Sequence, residues 1–124
     1  MANQLPYDAH MIPTDLTANI TEVNQRIRAA EALAGRKSGS VSLLAVSKTK
    51  PAEAIRRAHC EGLTKFGENY AQEMAEKSQI LADLPLTWHF IGPIQSNKTA
   101  LIAKVSDWVH SIDRIKIARR LNEH

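Results

Sequence analysis

The chain has 124 residues, 44% hydrophobic and 23% charged, which is the make-up of a single globular domain with a core of its own. Its 16 Lys and Arg against 13 Asp and Glu leave a formal net charge of +3, too mild to mark a nucleic-acid-binding surface. One cysteine, Cys60, excludes an intrachain disulfide, and no apolar run reaches the about 20 residues that a membrane span needs.

Residues 1–13 hold Pro6 and Pro13 and no periodic pattern, so a disordered or loosely docked lead-in is expected there. Met11 lies within it, leaving Met1 and Met11 as candidate starts. No Lys or Arg precedes Arg26, so neither a secretory signal nor a basic transit peptide is read, and the expected location is the cytoplasm. Residues 14–124 read as one domain. Leu16, Ile20, Val23, Ile27, Ala30 and Ala34 recur at steps of three and four, which predicts a packing helix. Thr14 or Asp15 can cap its start and Gly35 can end it.

Leu43 to Val46 is a short apolar run, as expected of a strand buried on both faces. Ser47, Lys48, Thr49, Lys50 and Pro51 follow. Proline suits the first position of a helix, since its φ is already helical and its missing N–H is not needed there. That helix should run to about Cys60 and stop at Gly62, with Cys60 a small buried hydrophobe. Two lysines therefore stand at the carboxyl end of a strand, the edge where α/β sheets and barrels place ligands. Alternation puts Leu44, Val46 and Lys48 on one face. If Val46 points into an apolar interior, Lys48 does too, and lost hydration favours the neutral, nucleophilic amine that can form a Schiff base with an aldehyde. Taken alone, the stretch is also readable as a surface lysine with its head in water, the ordinary fate of that residue.

Lys65 to Tyr70 reads as a second strand, with Gly67 marking a close approach to the backbone and Asn69 at its carboxyl end. Asn69 can bond a ligand or shape the turn. Gln72 to about Ala82 reads as a helix with Met74, Ala75, Ser78 and Leu81 inward. Glu73 and Glu76 read as its solvated face, and Glu73 adds an i,i+4 pair with Lys77. Trp88 to Ile94 is the third strand, on which parity separates Trp88 and Phe90 from His89 and Ile91. His89 is readable as a satisfied core histidine or as a pocket residue. Ser96 is a candidate cap for the next helix, which carries Leu101, Ile102 and Val105. Asp107 to Asp113 is the fourth strand, and Asp113 can cap a last helix, Arg114 to about Asn122, with Ile117, Ala118 and Leu121 inward. The basic residues of that helix read as an exposed face. No Cys pair or His pair has metal-ligand spacing, and there is no glycine-rich phosphate loop. Strand–helix units about 22 residues apart argue a parallel sheet. Four units are half of the eight, over about 250 residues, that close a barrel.

Four blocks on successive units carry a resemblance: Leu43–Pro51 (LLAVSKTKP), Phe66–Glu73 (FGENYAQE), Trp88–Lys98 (WHFIGPIQSNK) and Ser111–Arg114 (SIDR). Together they resemble the pyridoxal phosphate homeostasis protein family, single-domain relatives of the alanine racemase barrel. The resemblance implies the N-terminal half of a (β/α)8 TIM-type barrel preceded by an extra helix. It implies pyridoxal 5′-phosphate as cofactor, held as a Schiff base on Lys48, with Asn69 and His89 lining its pocket. It implies cofactor carriage in vitamin B6 balance more than turnover, with no nucleic acid or membrane partner and a monomer when complete. A racemase-like enzyme would need an acid–base group opposite Lys48, and Tyr70 fits an outward helix start better. The phosphate-binding loops of such barrels come late and are expected to be missing here, as in a truncated product. Open strand edges would then allow self-association, and a fragment that binds nothing small is the remaining reading.

Overall fold

The computed structural model describes residues 15–124, so the expected lead-in at 1–13 lies outside the described residues. Ten elements follow in order: α1 (Leu16–Leu33), β1 (Ala45–Val46), α2 (Ala52–Cys60), β2 (Lys65–Glu68), α3 (Ala71–Ile80), β3 (Thr87–Phe90), a 3-10 turn (Ser96–Lys98), α4 (Thr99–Val105), β4 (Trp108–Val109) and α5 (Ile115–Asn122). The four strands form one sheet in the order β1-β2-β3-β4, each parallel to the next. A helix carries the chain back between each parallel pair, so the expected run of strand–helix units is present. The sheet is open, with β1 and β4 as its two edges.

The strands are shorter than expected. β1 loses Leu43 and Leu44, β2 stops at Glu68, β3 at Phe90, and β4 keeps only two residues. Edge strands have ladder partners on one side alone, which limits β1 and β4, while Asn69 and Gly92 bend the chain out of β2 and β3. Register aligns Ala45, Phe66 and Trp88 in one row and Val46, Gly67, His89 and Trp108 in the next. The first row faces the helices. Phe66, Trp88 and Phe90 join Ile55, Met74, Ile102 and Ile117 in the buried core. The second row faces away from it, and Val46 is 55% and Trp108 61% exposed. Val46 is therefore not buried on both faces, because no further layer covers that side of the sheet.

Several helix ends differ from their reading. Pro51 is the N-cap of α2 rather than its first residue, with ψ 157°, an extended value outside the helix. Lys98 and Arg114, not Ser96 and Asp113, precede α4 and α5, and none of these ends shows a side-chain capping bond. The 3-10 turn at Ser96 takes the place of the capping residue. Helix α1 buries Ile20 and Glu31, while Ala30 and Ala34 of the expected stripe are exposed. Its end matches the reading of Gly35, which takes φ +69° while its N–H donates to Ala32 O and that of Arg36 to Glu31 O. The Glu31 carboxylate turns back to the following loop and accepts from the N–H groups of Val41 (2.8 Å) and Gly39 (3.2 Å) and from Arg28. Those donors hold its pKa down at about 2. Cys60 is exposed rather than buried, since α2 turns Ile55 and Ala58 to the core and leaves its last residue outside.

Candidate functional site

The carboxyl end of β1 continues directly into a tight turn. Lys50 N–H donates to Ser47 O (3.1 Å), closing a four-residue turn with Lys48 and Thr49 at its centre. Thr49 has φ +62°, the only positive φ of a non-glycine residue among those described. A β-branched residue is strained in the left-handed region, and such strain persists only where neighbours enforce it. Here they do. Thr49 N–H donates to Glu73 Oε1 at 2.6 Å, and Ser47 O accepts from Lys77 Nζ at 2.8 Å.

Both clamps come from a buried ionic cluster. Glu68, at the end of β2, is fully buried, and its carboxylate accepts from Ser47 Oγ and from Lys77 Nζ (3.1 and 3.0 Å to its two oxygens). Lys77 also meets Glu73 at 2.6 Å. Burial pushes the Glu68 carboxyl pKa up, against the pull of Ser47 and Lys77. The expected i,i+4 pair of Glu73 and Lys77 is present and Glu76 is exposed, but Glu73 is half-buried rather than fully solvated. Lys77 is buried, because α3 packs the face that carries it against the ends of β1 and β2. Helical spacing could not show it, since the partners that make burial tolerable, Glu68 and Ser47, lie on other elements.

Lys48 itself is exposed. It does not follow Val46 into an apolar interior, because the side of the sheet that Val46 faces is open. The amine thus keeps its water, and the desolvation expected from parity is absent. Beside the turn, a cavity of about 270 Å³ opens between α1, β1 and α2, lined mainly by apolar residues such as Leu16, Ile20, Leu43 and Phe66. Lys50 reaches that cavity and Lys48 does not line it.

Asn69 bends away after β2. Its side-chain Oδ1 is buried without a hydrogen-bond partner. The residue lines a cavity of about 290 Å³ with Ala71, Phe90, Pro93, Lys98 and Ile102. Gly92 makes this possible, since a Cβ there would stand 2.2 Å from Asn69 O. The close approach read at Gly67 is also present, as a Cβ there would meet Ile91 Cδ1 at 2.9 Å. Tyr70, on the N-terminal side of α3, is 57% exposed.

His89 sits on the open-side row and is buried by its neighbours. Its ring stacks on Trp108 (centroids 6.0 Å apart, planes 7° apart), and its Nδ1 lies 2.8 Å from His110 Nε2. Its Nε2 is buried with no partner. Burial, then the nearby His110, lowers its pKa, which keeps the ring neutral at pH 7. His89 is thus buried, with a partner on one ring nitrogen and none on the other. The sequence reading did not single out Trp108 or His110 as partners of His89. Parity could have found them, since Trp108 shares its register row.

Lys48 and Asn69 each stand two residues beyond a registered pair, Val46 and Gly67, at the carboxyl rim, and His89 stands one level lower, beside Gly67. Among the described residues no group of three His, Cys, Asp or Glu side chains could hold a metal ion, and no helix is long and apolar enough to cross a membrane. Fold and rim together describe a parallel β/α sheet of the kind that makes the N-terminal half of a TIM-type barrel, with a lysine after its first strand. No family model matches the chain. It is 62% identical over 108 residues to a pyridoxal phosphate homeostasis protein of Pseudomonas aeruginosa, covering 87% of this chain and 47% of that one. To the protein of that name from Escherichia coli it is 49% identical over 112 residues, covering 88% and 48%. PipY of Synechococcus elongatus, solved with pyridoxal phosphate bound, superposes with a TM-score of 0.68 at 43% identity, covering 82% of this chain and 47% of PipY. A protein of unknown function from Bifidobacterium adolescentis superposes at 0.83 with 34% identity, covering 98% and 53%. Over the part it spans, the chain is similar to curated pyridoxal phosphate homeostasis proteins at 49–62% identity. It spans about half the length of the curated relatives it matches.

Proposed function

We propose that this chain binds pyridoxal 5′-phosphate and serves in its homeostasis, with Lys48 as the attachment residue and Asn69 and His89 as polar contacts. The observation that carries the reading is the turn at the end of β1. A strained backbone is clamped on both sides of one lysine whose amine is left free and exposed. The relatives' name and the cofactor bound to PipY supply the ligand's identity.

The residues present fit such a group. When bound, the cofactor supplies an aldehyde that a primary amine can take up, with a phosphate and a polar ring beside it. Lys48 offers the amine. Asn69 Oδ1 and His89 Nε2 are buried polar atoms that lack partners, and unsatisfied groups of this kind are costly unless a ligand meets them. The neutral His89 ring can donate or accept at Nε2 according to which nitrogen shares the proton with His110. Carriage is favoured over turnover because Tyr70, the phenol weighed as an acid–base partner for Lys48, is exposed at the start of α3. The cytoplasm is the proposed compartment, where a reducing environment preserves a free, exposed thiol such as Cys60. The unpaired edges of β1 and β4 are surfaces for further barrel strands or for a second copy, which a size measurement separates.

The test is to mix the chain with pyridoxal 5′-phosphate, reduce with borohydride and map the added mass. One adduct on the Lys48 peptide, lost in Lys48→Ala, is the expected result. Label spread over many lysines, or unchanged in Lys48→Ala, refutes the reading.

A further inference from the structure

The trio Glu68, Glu73 and Lys77 supplies the clamp on the turn that carries Lys48, and its buried charges call for a reason. A buried ammonium is expensive to desolvate, and well-packed apolar residues in its place often serve stability as well or better. Lys77 is nevertheless buried on α3, with Glu68 on β2 and Glu73 one helical turn away to neutralise it. What these charges do that apolar groups could not is donate and accept hydrogen bonds at fixed backbone atoms. The Lys77 ammonium donates to Ser47 O, and the Glu73 carboxylate accepts from Thr49 N–H. Those two atoms stand on either side of Lys48. Glu68 fixes Lys77 from behind and accepts from the Ser47 hydroxyl as well. None of these bonds is made by the Lys48 side chain, so the cluster orders its backbone and leaves its amine free.

From this we infer that Lys77, held by Glu68 and Glu73, is a positioning device that fixes the Lys48 backbone in the strained turn and so aims its amine. The inference rests on the proposed role of Lys48 as the attachment residue. A carboxylate in place of a neutral acceptor at Thr49, and an ammonium at Ser47, make both bonds charge-assisted, which is the stronger kind. Strain at Thr49 supplies the restoring force: without the clamp, the residue relaxes to negative φ and Lys48 swings with it.

The experiment compares the unaltered chain with Glu73→Ala, Glu73→Gln and the double variant Lys77→Met/Glu68→Leu. Glu73 is partly exposed, so its variants should fold, and the double variant replaces the buried pair by apolar groups. Two readouts are taken. One is the rate of borohydride-trapped pyridoxal phosphate capture at Lys48, relative to the other lysines. The other is hydrogen exchange of the Thr49 amide in the free protein, together with acylation of Lys48 by a small neutral amine reagent. Glu73→Ala and the double variant should slow capture at Lys48 about tenfold, leave the other lysines unchanged and speed Thr49 exchange about a hundredfold. Glu73→Gln, which still offers an acceptor, should recover most of both. Unchanged capture and exchange in Glu73→Ala and the double variant overturn the inference. If the unaltered chain takes up no cofactor at Lys48, the proposed function falls by itself. The clamp is then decided by exchange and acylation, where unaltered values in Glu73→Ala overturn it and a Lys48-specific change supports it.

Discussion

Gly92→Ala should disrupt the site and the fold together. The added Cβ would stand 2.2 Å from Asn69 O, 2.7 Å from Asn69 Cα and 2.8 Å from Asn69 C. Carbon and carbonyl oxygen meet comfortably at about 3.3 Å or more, so one backbone has to move by roughly 1 Å. Neither is free to do so. Gly92 O accepts from Ser111 Oγ, and Ile91 N–H donates to Glu68 O at 2.9 Å. Overpacking of a close site typically costs ~1–3 kcal/mol, and a clash with three backbone atoms belongs at the upper end, about 3 kcal/mol. That is a large share of a typical domain's stability of ~5–15 kcal/mol, and it should lower the melting temperature by roughly 10 °C. Gly67→Ala is the matched control. Its Cβ would crowd the Ile91 side chain alone, closest at Cδ1 (2.9 Å), and the end of a flexible side chain can rotate away for about 1 kcal/mol. Urea unfolding of both variants, followed by tryptophan fluorescence, measures the difference. A Gly92→Ala unfolding free energy within about 1 kcal/mol of the unaltered chain, or a larger loss in Gly67→Ala, would refute the reasoning.

Two other perturbations have a definite sign. Glu31 has its pKa lowered from 4.5 to about 2, first by the Val41 N–H and then, against the cost of burial, by Arg28 and the Gly39 N–H. Its contribution to stability is therefore complete above about pH 4.5 and is lost as the pH falls toward 2. Glu31→Gln should be less stable at neutral pH and should show a shallower loss of stability over that acid range, as read by urea midpoints at successive pH values. Ile102 is fully buried among the core side chains, and Ile102→Ala should cost ~2–5 kcal/mol in the same assay.

The order of elements was legible because each unit pairs a short apolar run with a helical stripe, and Phe66, Met74, Phe90, Ile102 and Ile117 all turn inward as their spacing implies. Gly67 and the open edges of the sheet were legible for the same local reason. What could not be read is set by contacts between units. Lys77 looks like any helix-surface lysine until Glu68, nine residues earlier on another element, is placed beside it. Thr49 shows no sign of a positive φ, since glycine or asparagine would normally mark one. The strands were read too long because the apolar pattern continues past the last registered pairs, at Phe90 and Val109, into the rim at Ile91 and Ile112.

The exposure of Lys48 follows from how many strands there are to cover it. A strand residue on the inner face of a closed barrel is desolvated by the strands opposite, and four parallel strands in an open sheet have none opposite. Val46 and Trp108, the outer members of their row, are accordingly more than half exposed, while Gly67 and His89 between them are buried by their neighbours alone. Position and environment therefore separate in this chain. The ionic cluster behind β1 is complete, so the backbone around Lys48 is already fixed. Under the proposed function, the described residues thus supply the held turn and an exposed Lys48 amine, while the open face beside them carries no further layer.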